Sequence, residues 1–231
     1  MFWVDCYIFT NQQCHILDKD TYRTKGLRKK LVQTLIQKGI TNRAVIDAIG
    51  RVPRHSFLEP VFEEWAYKDV AFPIDADQTI SQPFTVAMQS SLLEVKRGDK
   101  ILEIGTGSGY QAVILSEIGA KVYTIERQKV LFERTSKRLV NMGYNQIRTL
   151  FGDGWKGAER FAPFDKIIIT AAASDIPKIL LDQLKVGGIM IIPLGSEEQK
   201  MMKIKKKDHS TFTKQEFGTY RFVPMLTGVN S

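Results

Sequence analysis

The stretch "ILEIGTGSGYQ" (101–111) runs from an apolar strand into a turn with glycines at 105, 107 and 109, and then into a helical pattern. A strand that breaks on closely spaced glycines and restarts as a helix lets the backbone approach a ligand at the strand's end, as the parallel α/β folds do. Downstream the same alternation continues. Strands are expected at 100–104, 121–126, 147–151, 165–170 and 188–193, with helices at 110–118, 128–142 and 176–184. This order predicts a Rossmann-like α/β fold with a mostly parallel sheet covered on both faces. The lysine-rich stretch near 200 and "QEFGTYRFVPM" (215–225) are expected to add an antiparallel C-terminal edge.

Ahead of the turn the chain reads as a helical preface. Leu31, Leu35 and Ile36 recur at helical spacing and Gly39 ends that helix, while Thr41 or Asn42 caps a second one that carries Val45, Ile46 and Ile49 and stops before Pro53. Residues 67–82 are irregular, and then "SQPFTVAMQSSLLEV" restores helical spacing with Pro83 in its first turn. One domain is therefore expected over 23–231, divided into a preface (23–82), a ligand-binding core (83–195) and edge strands (196–231). Residues 1–22 fit no periodic template and read as an N-terminal arm of unknown role.

At 231 residues the chain fills one α/β domain. No apolar run is long enough to span a bilayer. The opening "MFWVDCYIF" carries Asp5 and no basic leader, so a cytoplasmic protein is expected. Cys6 and Cys14 read as reduced thiols, and His15, His55 and His209 are too dispersed for a metal site, so no metal is expected. The net charge of +8 is concentrated in "RTKGLRKK" (23–30) and "KMMKIKKK" (200–207). In the second run Met202 and Ile204 alternate with lysines, which reads as a strand with a solvated face; neither a nucleic-acid nor a membrane partner is expected.

The glycine turn admits two ligand classes. A dinucleotide fingerprint needs G-x-G-x-x-G, but here the third glycine comes one residue early and its place is taken by Tyr110. Glu126 ends the second strand, where a carboxylate can accept both hydroxyls of a ribose. Glu103 puts an anion just before the turn, which repels a pyrophosphate and attracts a sulfonium or an amino group. Asp153, in "GDGW" (152–155), follows the third strand on the same sheet edge. Together these acids point to S-adenosylmethionine, and the fold class narrows to a class I methyltransferase.

Five stretches carry a specific resemblance: "TISQP" (79–83), "LEIGTGSGYQ" (102–111), "GDGW", "APFDKIIITAA" (162–172) and "RFVPM" (221–225). From about Leu27 to Thr227 the chain resembles the protein-L-isoaspartate (D-aspartate) O-methyltransferase family. The resemblance implies a repair enzyme that methylates L-isoaspartyl residues in damaged proteins and peptides, and D-aspartyl residues more weakly. S-adenosyl-L-methionine would be the donor and S-adenosyl-L-homocysteine the product. It implies that Ser81 is the active-site residue and that Gln78, Thr79, Ile80 and Ser81 line cofactor and substrate. Gly105, Thr106, Gly107, Ser108 and Gly109 would pass the methionine moiety, Glu126 would hold the ribose, and Asp153 with Gly154 would face the adenine. Gln82, Arg221, Val223 and Pro224 would contact the peptide, and the family resemblance implies a monomer. Asp75 and Asp77 stand where the family often has small residues or glycine.

Ser81 also has the chemistry of a helix cap, since it precedes Gln-Pro and an amphipathic run. A Ser81–His55 catalytic pair lacks the nucleophile elbow that such chemistry uses. A nucleic-acid methyltransferase of this fold would commonly show an Asn/Asp-Pro-Pro-aromatic turn after the fourth strand, where this chain has "TAAASD" (170–175). A binding protein without turnover shares the fold but does not explain "TISQP".

Overall fold

The computed structural model describes residues 20–230, so the expected N-terminal arm lies outside the described residues up to position 19. The remainder of that segment belongs to the domain. Helix α1 (Tyr22–Gln37) begins well ahead of Leu31 because Thr21 caps it, its Oγ1 accepting the Thr24 N–H at 3.2 Å. Asp20 takes both Arg28 guanidinium arms, at 2.9 and 2.7 Å. Asn42, one of the two candidate caps, starts α2 (Arg43–Arg51) by accepting from Val45 N–H at 3.3 Å.

Residues 67–82, expected as irregular, include a small hairpin of β1 (Phe72–Pro73) and β2 (Thr79–Ile80). Its turn closes through Gln78 N–H to Asp75 O at 3.2 Å, with Ala76 and Asp77 both left-handed (φ 56° and 54°). Two successive left-handed residues make this a primed turn, whose twist suits a tight hairpin and which glycine favours. Helix α3 (Pro83–Leu92) follows, with Pro83 in its first turn.

The main sheet has seven strands: β3 (Lys100–Ile104), β4 (Lys121–Glu126), β5 (Arg148–Phe151), β6 (Phe164–Ile169), β7 (Leu184–Leu194), β8 (Gln199–Lys206) and β9 (Phe212–Tyr220). Their spatial order is β5-β4-β3-β6-β7-β8-β9; the first five pair in parallel, and β8 and β9 are antiparallel. Helices α4 (Tyr110–Glu117), α5 (Lys129–Asn141) and α6 (Lys178–Asp182) connect the parallel strands. Alternate residues of β3 serve two cores. Ile101 joins Leu35, Ile49 and Val113 on the side of the preface helices, and Leu102 and Ile104 join Leu180 and Met225 on the other.

Three features depart from expectation. Helix α6 is one short segment because β7 starts at Leu184, two residues after it, and runs eleven residues. Lys206, in the basic run and two residues after Ile204, is buried, and its Nζ donates to Leu181 O and Leu184 O at 2.6 and 2.9 Å, satisfying carbonyls on both sides of the junction between α6 and β7. The last strand begins at Phe212 and ends at Tyr220. Residues 221–225 leave the sheet and return over the strand ends, where Met225 N–H donates to Ala172 O at 2.7 Å.

The chain leaves β3 toward β4 and β5 and then comes back to β6 on β3's other side. That reversal opens a crevice outside the carboxyl ends of β3, β4 and β6, where sheets of this kind hold ligands.

Candidate functional site

A cavity that opens to solvent occupies this crevice. Its floor is the run from Ile104 to Ser108, one side is Ile125 to Arg127, and the other is Thr170 and Ala171. Gln78 to Ser81 from the hairpin and Val223 to Leu226 from the returning C-terminal segment close it above, with Gly154 at one end.

Local geometry explains the glycines. Gly105 is left-handed (φ 95°), and a Cβ there would stand 2.6 Å from Thr170 Oγ1, so the turn can lie against β6 only without a side chain. The Thr170 hydroxyl bonds back to the Ile104 and Gly105 carbonyls, at 2.9 and 2.8 Å. Gly109 (φ 86°) is the N-cap of α4, and a Cβ on it would meet Thr135 Cγ2 of α5 at 2.8 Å. The third glycine thus seats a neighbouring helix.

Glu126 holds the turn from the end of β4. One carboxylate oxygen accepts the Gly107 N–H and the other the Gln128 N–H, both at 2.9 Å, and the residue lines the cavity. Each oxygen keeps a second acceptor position, enough for a vicinal diol.

Glu103 behaves differently from the anion expected at its position. It is fully buried, it does not line the cavity, and neither carboxylate oxygen has a hydrogen-bond partner among the described residues. Burial pushes its pKa up to about 8, with the nearby Glu126 charge adding to the shift, so the carboxyl stays protonated at neutral pH. Asp153 also stands back from the cavity. Its two oxygens accept from Trp155 N–H and Gly228 N–H, each at 2.9 Å, and thereby tie the C-terminal segment to the strand ends, while Gly154 forms the wall.

Ser81 lies where the cavity meets a second, larger groove. Thr79, Ser81, Thr170 and Val223 line both; Gln82, Arg221, Phe84 and Tyr220 line the groove alone, and Pro224 lines the cavity alone. The cap reading of Ser81 is not realised: Gln82 is the N-cap residue of α3, with no side-chain cap bond. Asp69 Oδ1 takes the Phe84 N–H instead, at 2.8 Å. His55 is buried against Tyr67, Nδ1 to hydroxyl 2.6 Å, and lines neither the cavity nor the groove. Among the described residues no cluster of three or more His, Cys, Asp or Glu could hold a metal.

Several lining residues escaped sequence reasoning, notably Thr170, Tyr110 and Gln111, and Met225, within the 221–225 stretch expected at the peptide groove, lines the cavity instead. Thr170 directly follows β6, so the rule that ligands sit at strand ends could have found it. Met225 reaches the cavity only through the return of the C-terminus, which no local pattern announces.

A family model described as Protein-L-isoaspartate(D-aspartate) O-methyltransferase matches residues 26–230. The chain is 57% identical over 212 residues to a protein-L-isoaspartate O-methyltransferase of Flavobacterium johnsoniae, covering 92% of this chain and 100% of the other. With the Christiangramia forsetii protein of the same name the identity is 54% over the same shares of both chains. Among solved structures, a protein-L-isoaspartate O-methyltransferase superposes with a TM-score of 0.77 at 27% identity, covering 85% of this chain and 65% of that one. The fold is shared, at a TM-score of 0.75 and 24% identity, with a Plasmodium falciparum structure described as a putative protein-L-isoaspartate O-methyltransferase in complex with S-adenosyl-L-homocysteine; 86% of this chain and 98% of that one are covered.

Proposed function

The chain belongs to the protein-L-isoaspartate(D-aspartate) O-methyltransferase family, and on that premise we propose which of its residues carry the reaction. The activity is methyl transfer to the α-carboxylate of L-isoaspartyl residues in damaged proteins and peptides, and more weakly to the β-carboxylate of D-aspartyl residues. The ester then closes to a succinimide, whose hydrolysis returns part of the material as normal aspartate.

The cavity suits S-adenosyl-L-methionine on its own chemistry. Gly105 leaves backbone where any side chain would collide with Thr170, Glu126 offers two acceptor positions to a diol, and Gly154 leaves a flat wall for a base. When bound, this cofactor supplies a methyl group on a positively charged sulfur. The 105–109 turn would pass along its methionine part, and Glu126 would receive the ribose hydroxyls. Asp153 acts one step removed, by holding the segment that carries Met225 and Leu226 over the site.

Ser81 stands where the methyl donor and the peptide must meet. An ionised carboxylate attacks without losing a proton, so the site needs a positioning donor and no general base. With the cofactor in place, a carboxylate oxygen held beside Ser81 would supply the electron pair of the new C–O bond and the C–S pair would leave with the sulfur. Opposite charges are neutralised in that step, which a pocket walled by Ile80, Val86, Val223 and Pro224 favours by excluding water. The observation that carries the proposal is Ser81 in the shared wall of cavity and groove, with no helix cap to serve.

The proposal includes a monomer that works on protein in the cytoplasm without nucleic acid. The monomer rests on the family resemblance, and a protein rather than a nucleic-acid partner is supported by Lys203 and Lys206 of the basic run being engaged with Glu94 and with α6. The test is methyl transfer from labelled S-adenosylmethionine to two peptides that differ only in an L-isoaspartyl or a normal aspartyl linkage. Label on the isoaspartyl peptide alone is the expected result, and label on neither or on both equally would sink the reading.

A further inference from the structure

Two arginines are buried in the preface, and their surroundings differ. Arg28 is fully partnered: its guanidinium meets the Asp20 carboxylate twice, the Gly50 carbonyl at 2.8 Å and the Tyr67 hydroxyl at 3.3 Å. That is how a structural arginine is expected to look. Arg54, in a short 3-10 turn (Arg54–Phe57), is 1% exposed, and among the described residues no carboxylate pairs with it. One arm, Nη2, donates to the backbone carbonyl of Ser81 at 2.7 Å. Its plane lies over the Tyr110 ring, 4.6 Å from the centroid. Nε and Nη1 have no hydrogen-bond partner.

A guanidinium keeps its charge even when buried, and burying it without a carboxylate is costly. Stability alone favours an apolar side chain in such a place. The cost is intelligible if the charge serves the site, and Arg54 touches it twice: at Ser81, in the wall shared by cavity and groove, and at Tyr110, in the cavity wall. The nearby Asp69 carboxylate is taken up by Lys38 and the Phe84 N–H and makes no ion pair with Arg54, and little water screens the guanidinium, so its potential reaches into the place where a carboxylate must sit.

We infer that Arg54 is a positioning residue for methyl transfer: from behind Ser81 it fixes that peptide unit and supplies the positive potential that draws the acceptor carboxylate to it. This rests on the reading of Ser81 as the residue that faces the acceptor. The acceptor's charge is largest before transfer and fades as the C–O bond forms, so the potential acts on peptide binding more than on the chemical step.

The experiment compares wild type, Arg54→Lys and Arg54→Met for KM and kcat with an isoaspartyl peptide, and for S-adenosylhomocysteine affinity by calorimetry. Arg54→Met is expected to raise KM by about tenfold or more, as loss of a desolvated charge partner does, and to lower kcat by less. Arg54→Lys is expected to recover most of the KM, and cofactor affinity to stay within about twofold because Arg54 does not line that cavity. A KM unchanged in Arg54→Met, or Lys and Met variants equally impaired with cofactor affinity falling in step, would overturn the inference. Should Arg54→Met fail to fold, wild type still decides the matter: it should bind the isoaspartyl peptide more tightly than the same peptide with that carboxylate replaced by a carboxamide. Equal binding of the two would also overturn it. Wild type inactive on the isoaspartyl peptide would instead bring down the functional reading itself.

Discussion

Asp69 caps helix α3 from fifteen residues upstream: its Oδ1 accepts the Phe84 N–H at 2.8 Å. The other carboxylate oxygen meets Lys38 Nζ at 2.6 Å, and the Asp69 carbonyl accepts from Gln82 Nε2 at 3.0 Å. Ser81 stands directly beside this helix start and is relieved of the capping role that its sequence position suggests.

Replacing Asp69 by alanine should therefore destabilise the fold by about 1 kcal/mol or somewhat more, the usual worth of a helix N-cap. Asp69→Asn keeps an acceptor and should lose less. Urea unfolding of the two variants measures this, and equal losses would mean that the ion pair with Lys38 matters more than the cap.

Ser81→Ala should leave stability within about 0.5 kcal/mol, since no cap is lost. Turnover on an isoaspartyl peptide should fall by about tenfold or more, as expected when the group that aligns a reactant is removed. Cofactor affinity should stay close to that of wild type. Calorimetry with S-adenosylhomocysteine beside initial rates separates the two effects, and parallel losses would contradict the assignment.

Glu126→Ala should weaken S-adenosylhomocysteine binding by about 10- to 100-fold, since a hydrogen bond to a charged group contributes about 1.5–3 kcal/mol. The variant also releases the Gly107 and Gln128 N–H groups, so its melting temperature should drop. Glu126→Gln keeps one oxygen but turns an amide NH2 toward a backbone donor, and it should bind only slightly better than the alanine variant.

Glu103 gives the fold a pH dependence whose sign follows from burial. Its carboxyl has an ordinary value of 4.5 and is pushed up to about 8 in the folded chain. Below about pH 4.5 both states hold the proton; above it the unfolded chain releases the proton first, so this contribution to stability falls as pH rises and is lost through about pH 8. Glu103→Gln abolishes that term. Relative to wild type, its melting temperature should be higher at pH 8.5 than at pH 5, and a constant difference across that range would refute the neutral, buried carboxyl.

Gly105→Ala places a Cβ 2.6 Å from Thr170 Oγ1 at a left-handed φ of 95°. Both strain and collision act at the cavity floor, so cofactor binding should be lost to calorimetry. Thr170→Ser retains the hydroxyl bonds to Ile104 and Gly105 and should bind nearly as wild type does.

The sequence by itself determined the parts whose physics is local. β3 and β4 fall at the positions that their apolar runs mark, the glycine turn joins β3 to α4 as read, and Glu126 ends β4 beside that turn. Apolar periodicity, helix caps and glycine conformations act over a few residues and so leave a mark in any window of the chain. Tertiary structure decided what depends on partners far along the chain. Arg54 reaches Ser81 across 27 positions and Thr170 reaches Gly105 across 65, while Met225 comes back over the strand ends only because the edge strands turn the chain around. The charge state of Glu103 belongs to the same class: its residue type announces an anion, and only close packing on every side makes it a neutral acid.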